Sequence, residues 1–379
     1  MLIDSTLREG AQMFGVYFTE ELRRRILTGL VRARVDEVEI GWVGQEGLPE
    51  LLRHARRIDP DERTSLTVWS PLRSRDLRAL AEQGVRRVHF GVPVSDAHIE
   101  KRLSLDRAGL LDRLQRVLEE SVSLPFEFLS IGLEDVSRAD REFALEAAKV
   151  VQECGGHRVR LSDTVGLLMP LETAELVGLF VDRTRLEVGF HGHNDFGMAT
   201  ANAITALAAG AHCVDVSALG IGERAGIAAL EEVSAHLNVR GRAGYDQFEI
   251  LNLARMVGEA ARIPIARNKV LLGQDIFACE SGLHLHGLAA DPALFEPFAP
   301  EGIGAHRKTA VGMKSGTAAV SAAIRRLGII LPRRDVEELG NHVRTLSGQL
   351  ARPLRDEELL LLASSRNEHQ DGQFTIIIN

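Results

Sequence analysis

The stretch PFEFLSIGLEDVSRADREFALEAAKVVQECGGHRVRLSD, residues 125–163, contains one complete strand, helix and strand. PFEFLSIG from Pro125 and HRVRLSD from His157 are short β-rich runs, and DREFALEAAKVVQEC between them is amphipathic at helical spacing. Outward from it the same alternation repeats. MLID from Met1, VDEVEIG from Val35, TSLTVWS from Thr64 and VRRVHFGV from Val85 precede it, and LEVGFH from Leu186 and HCVDVSALG from His212 follow. One intervening segment, TEELRRRILTGLVRA, opens with Thr19 as a helix N-cap before two glutamates. Eight such units in roughly 235 residues predict an α/β fold, a (β/α)8 TIM barrel, whose usual size is about 250 residues. A doubly wound open sheet is the alternative.

At 379 residues the chain is long for one core, and 45% apolar residues are enough to bury a large domain plus a smaller one. After about residue 240 the pattern changes to helical segments punctuated by ESGLHLHG, DPALFEPFAPEG and VGMKSG. The expected division is a catalytic barrel over 1–240, a linker and lid region over 241–310, and a helical subdomain over 311–379. The last reads as two helices broken near Pro353, with a loose tail after Ser365. The 45 basic and 53 acidic residues give a net charge of −8 with no long run of either sign, which argues against a nucleic-acid groove or a polybasic membrane patch. Cys154, Cys213 and Cys279 are widely spaced and form no C-x-x-C pair, which fits a reduced cytoplasm. No apolar run approaches membrane-spanning length and no leader precedes the first strand, so a soluble protein acting on a small molecule is expected.

In a barrel of this kind, chemistry gathers at the C-terminal ends of the strands. Five of the eight ends are polar: Asp4 with Arg8 and Glu9, then LEDVSR, SDTVG, HGHND and LGIGERAG. His191 and His193 stand at i and i+2 on a strand, so both emerge on one face, either as ligands of one divalent cation or as hydrogen-bonded rim histidines. A cation needs a carboxylate as well, and Glu9 can supply it, with Asn194 or Asp195 orienting an imidazole. Two nitrogens and one oxygen suit Zn, Mn, Fe or Co better than Mg, and leave positions for the carboxylate and keto oxygens of a 2-oxo acid. Arg8 is either a surface ion pair or the stabiliser of a developing alkoxide or enolate. The glycines around Glu223 and Arg224 read as a phosphate cradle or as a tight turn. Glu134 with Asp135, and Asp163 with Thr164, either touch substrate or cap the following helices. His284 and His286 lie outside the barrel, where they serve the fold or supply a base to another subunit.

Taken in order, DSTLREGAQ, SDTVG, HGHND, LGIGERAG and ESGLHLHG resemble the Claisen-condensing DRE-TIM metalloenzymes, the homocitrate synthase and 2-isopropylmalate synthase family, and homocitrate synthase most closely. The resemblance covers nearly the whole chain. It implies Glu9, His191 and His193 as ligands of a divalent metal (Zn, Mn, Mg, Co or Fe), Arg8 as the electrostatic catalyst, and Gln12, Glu134 and Thr164 around the substrate. It implies acetyl-CoA as co-substrate. His284 matches the base that family members receive from the other subunit, which implies a homodimer with exchanged C-terminal regions. The implied reaction takes a proton from the acetyl methyl, adds the enolate to a keto carbon, and hydrolyses the thioester.

Three positions depart from the family pattern. Leu219 replaces an asparagine that is a further metal ligand in isopropylmalate synthases, which supports a three-ligand site. Ser130 replaces an arginine that holds the distal carboxylate of 2-oxoglutarate, and Phe295 replaces a lid tyrosine. The expected substrate is therefore a 2-oxo dicarboxylic acid, with 2-oxoglutarate first and oxaloacetate or phosphonopyruvate as alternatives. Ser130 and Arg138 are expected beside it, and Arg73, Arg75 or Arg138 can replace the missing anion anchor. Isopropylmalate or citramalate synthesis, and a metal-dependent lyase or aldolase, stand further down.

Overall fold

In the computed structural model, which describes residues 1–364, the eight predicted strands are β1 (Leu2–Asp4), β2 (Glu37–Trp42), β3 (Ser65–Pro71), β4 (Arg87–Pro93), β5 (Phe128–Glu134), β6 (Arg158–Asp163), β7 (Glu187–Gly192) and β8 (Cys213–Val216). They close in sequence order, each parallel to its neighbours, with β8 pairing β1. Helices follow the strands, as the sequence requires. Thr19 caps the first, Glu20–Arg32, its Oγ1 accepting from the Leu22 N–H at 3.2 Å. In the β5 to β6 unit, Asp140 caps the helix Arg141–Glu153 by accepting from the Glu142 N–H at 3.0 Å, and Gly155, at φ +80°, turns the chain out. That helix buries Phe143, Ala144, Ala147, Ala148 and Val151 against the sheet, the larger side chains contributing about 1.5–3 kcal/mol each.

The barrel lumen departs from the usual aliphatic filling. Strands β2 and β6 face each other across it, yet Arg158 donates to Glu37 at 3.0 Å and Arg160 to Glu39 at 2.5 Å. Glu37 also accepts from Thr67 at 2.6 Å and Arg87 at 2.9 Å, and Arg160 reaches Asp215 on β8 at 2.8 Å. Arg158 and Arg160 are among the largest fully buried side chains. Each charge is paired, the condition under which a buried ion is tolerated. The pairs climb the barrel in steps of two residues, about 6.6 Å at the strand rise, and carry an ordered charge array up to the rim.

The chain divides into two compact units, the first ending at Pro264 and the second beginning at Ile265. The first extends past residue 240 because the helix Gln247–Ala261 adds Ile250, Leu253 and Val257 to the barrel's core, Gly29 leaving room for Leu253. The second unit has its own core of Val311, Val320, Ile324, Leu339, Val343 and Leu359. Its helices Arg333–Leu350 and Asp356–Ser364 are separated at Ala351 to Arg355, around the expected break at Pro353. The tail expected after Ser365 lies outside the described residues. Among the described residues no helix is long and apolar enough to cross a membrane.

Candidate active site

At the C-terminal rim of the barrel a cavity of about 400 Å³ is lined by Arg8, Glu9, Gln12, His89, Glu134, Thr164, His191 and His193, among others. The turn after β1 brings in the first of these. The Asp4 carboxylate accepts from the Thr6 N–H at 2.9 Å, the Arg8 and Gly10 N–H groups return to the Ser5 carbonyl, and a Cβ at Gly10 would press on Ile221. Arg8 donates through Nε to Glu39 at 2.8 Å and pairs closely with Glu9. Glu9 is held from its other oxygen by the Glu223 N–H at 3.0 Å. That contact explains the glycines of LGIGERAG: a Cβ at Gly222 would lie 3.0 Å from Glu9 Cγ, and one at Gly226 would overlap the Gly220 carbonyl. The loop is a tight turn that brings backbone to Glu9. Arg224 closes it by pairing with Asp195 at 2.8 Å.

His191 and His193 end β7 with their Nε2 atoms 3.3 Å apart. His191 Nδ1 lies 2.7 Å from Asp215 Oδ2, which fixes that nitrogen as an N–H donor and leaves Nε2 as the atom turned toward His193. His193 Nδ1 is buried with no hydrogen-bond partner. Burial, then the neighbouring His191, push the His193 imidazole down to about 4, so it is neutral at pH 7. Burial alone would raise Glu9, but the adjoining Arg8 guanidinium holds it below the usual carboxylate range. One carboxylate oxygen and two imidazole nitrogens, all buried, thus lie within 4.8 Å of one another. Nitrogens bound about 2.1 Å from one ion at 90–110° are about 3.0–3.4 Å apart, so the imidazole spacing fits a shared divalent cation.

A model of the family described as HMGL-like matches residues 1–257. The chain belongs to the HMGL-like family. A second model, homocitrate synthase post-HMGL domain-like, matches residues 271–350, which puts this HMGL-like chain with the condensing synthases. It is 37% identical to homocitrate synthase 1 of Nostoc sp. over 97% of its length and 98% of the relative's. It is 35% identical to 2-isopropylmalate synthase 2 of Caldanaerobacter subterraneus subsp. tengcongensis (95% and 94%), and 37% identical to 2-phosphonomethylmalate synthase of Streptomyces rubellomurinus (95% and 96%). The hydroxymethylglutaryl-CoA lyase of Pseudomonas aeruginosa shares the fold, with a TM-score of 0.60 at 22% identity over 69% of this chain and 95% of that one.

Other expected residues of this HMGL-like barrel fall in several places. Gln12, Glu134 and Thr164 line the cavity; Ser130 and Arg138 are not part of its lining. Ser130 is buried on β5 with its hydroxyl 2.9 Å from His89 Nδ1, and His89 is the residue that reaches the cavity. Arg138 turns back in a one-turn helix to pair with Asp135 at 2.8 Å, three residues earlier. Arg75 is exposed beside Asp76, and Arg73 borders a neighbouring cavity. Asp163 braces the loop ahead of the helix Pro170–Arg183, accepting from the Leu167 and Leu168 N–H groups at 3.0 and 2.8 Å, and does not cap that helix. Asn194 accepts from the Ala199 N–H and Asp195 holds Arg224, so neither orients an imidazole; Asp215 does. Leu219 adopts φ +60°, a conformation in which asparagine is more at ease than leucine. In the second unit His284 is exposed on the helix Gly282–Ala290, its ring edge-on to Phe295 at 4.6 Å, while the His286 side chain lies outside the described residues.

Proposed function

We propose that this chain is an acyltransferase that condenses acetyl-CoA with a 2-oxo dicarboxylic acid, 2-oxoglutarate to homocitrate, by a metal-assisted Claisen condensation and thioester hydrolysis. The observation that carries this reading is the convergence of Arg8, Glu9, His191 and His193 on one rim cavity with Gln12, Glu134 and Thr164. Glu9, His191 and His193 would hold a divalent ion, which would supply Lewis-acid polarisation of the keto carbonyl. Arg8 spends three of its five N–H donors on Glu39 and Glu9, leaving two for the negative charge that grows on the keto oxygen as the carbon–carbon bond forms. Thr164 Oγ1 accepts from the Asp135 N–H at 2.8 Å, so its own hydroxyl proton is free to donate to the acid. Glu134 serves as a proton carrier in the same cavity. His284, lent across a homodimer, takes the proton from the acetyl methyl. Water then releases CoA and a tertiary 2-hydroxy acid.

The second reading is the same chemistry on oxaloacetate or phosphonopyruvate. Ser130 favours it, since a hydroxyl engaged with His89 replaces the arginine expected for a longer acid. Thiol release from acetyl-CoA across a panel of 2-oxo acids tests both.

A further inference from the structure

The rim cavity has a neighbour of about 270 Å³ on the far side of β3 and β4, and Trp69, Gly91, Arg102 and Glu134 line both. The shared wall is therefore an ion pair on an aromatic support. Arg102, in the helix Asp96–Leu103, donates to Glu134 at 2.8 Å. Gly91 is what lets Glu134 lie there, because a Cβ at that position would overlap its carboxylate. Behind the wall the second cavity mixes apolar Leu72, Val92 and Leu110 with Arg73 and Arg113. Neither of these two arginines has a carboxylate partner among the described residues. Three arginines and a single carboxylate, Glu134, among the lining residues give this cavity a net positive charge that an anion can neutralise.

We infer that Arg102, backed by Arg73 and Arg113, is the specificity-determining seat for the anionic tail of the oxo acid, a reading that rests on the proposed condensation. The distal carboxylate or phosphonate replaces Glu134 as the partner of Arg102 and frees the Glu134 carboxylate at the moment the correct acid is bound. A neutral-tailed acid leaves the Arg102 to Glu134 pair intact and gains nothing from the second cavity.

The test compares wild type, Arg102→Gln, Arg102→Lys and Arg113→Gln, each metal-loaded and checked for native circular dichroism, on 2-oxoglutarate, oxaloacetate, phosphonopyruvate, pyruvate and 2-oxobutyrate. Arg102→Gln is expected to lower kcat/KM for the best anionic-tailed acid by about 10- to 100-fold, chiefly through KM, and not to lower that of pyruvate, for which the freed Glu134 carboxylate can only help. Arg102→Lys should recover part of the loss, and Arg113→Gln should show a smaller one. Calorimetric titration with the same acids gives affinity without turnover and should show the same selective loss. An unchanged ratio between anionic and neutral tails in Arg102→Gln overturns the inference. So does a rise confined to the KM of acetyl-CoA, which would give the seat to the CoA phosphates. If wild type releases no thiol with any acid, the proposed condensation fails, and the calorimetric ratio still decides on Arg102.

Discussion

Replacing Asp215 by asparagine separates what the buried charge array does for the fold from what it does for the rim. Asp215 Oδ2 lies 2.7 Å from His191 Nδ1 and 2.8 Å from Arg160, and the side chain is fully enclosed. Asparagine has nearly the same shape but one acceptor oxygen. If that oxygen stays on His191, the amide NH₂ faces the Arg160 guanidinium, donor against donor. Breaking a buried ion pair outright costs about 3–5 kcal/mol, and Arg160 keeps Glu39 at 2.5 Å, so about 2 kcal/mol of stability should be lost. At the rim, a neutral partner no longer strengthens the imidazole as a ligand, and loss of such a contact lowers metal affinity by about 10- to 100-fold, or about 1.4–2.7 kcal/mol. Urea unfolding of the chelated protein reads the first effect, and competition for Zn²⁺ or Mn²⁺ against a chelating dye reads the second. A variant that loses stability but binds metal within twofold of wild type would refute the assignment of Asp215 to the metal site.

Three further outcomes follow from the same geometry. Burial raises Asp4 to about 7 against a usual 3.8, so the folded state holds its proton more tightly than the unfolded state, and stability falls as pH rises from about 4 through 7; relative to wild type, Asp4→Asn should gain up to roughly 4 kcal/mol between pH 4 and pH 8, and a flat difference in urea unfolding would contradict it. Gly222→Ala should push Glu9 aside and weaken metal binding severalfold in the dye assay while changing unfolding by less than about 1 kcal/mol, whereas unaltered binding would show that Glu9 tolerates the methyl group. Mixing inactive His284→Ala with inactive Arg8→Ala subunits should restore activity in heterodimers, and no recovery after verified subunit exchange would remove His284 from a shared site.

The barrel was legible because its strands and helices alternate at a fixed period, and the metal-ligand candidates because H-x-H at a strand end puts both rings on one face. The lumen was harder. Glu37 and Glu39, and Arg158 and Arg160, alternate as the charged face of a solvated strand does; only closure of the sheet turns that face inward, where the two rows meet. Asp215 carried a usable signal, a single acid in a short strand of otherwise apolar residues, two positions from Cys213 on the same face. Arg102 carried none, since its place at the rim depends on the extra helix between β4 and the helix Arg107–Val122. Arg138 was expected beside the substrate as an anion anchor, but the chain reverses there and the nearer Asp135 takes it.

Steady-state thiol release from acetyl-CoA with 2-oxoglutarate, oxaloacetate, phosphonopyruvate, pyruvate and 2-oxoisovalerate tests the condensation most directly. The expected result is metal-dependent release that chelation abolishes, with an acid bearing an anionic tail preferred over branched 2-oxoisovalerate by more than about tenfold in kcat/KM, or about 1.4 kcal/mol of transition-state binding. Release with none of these acids, or a tenfold preference for 2-oxoisovalerate, would contradict the account.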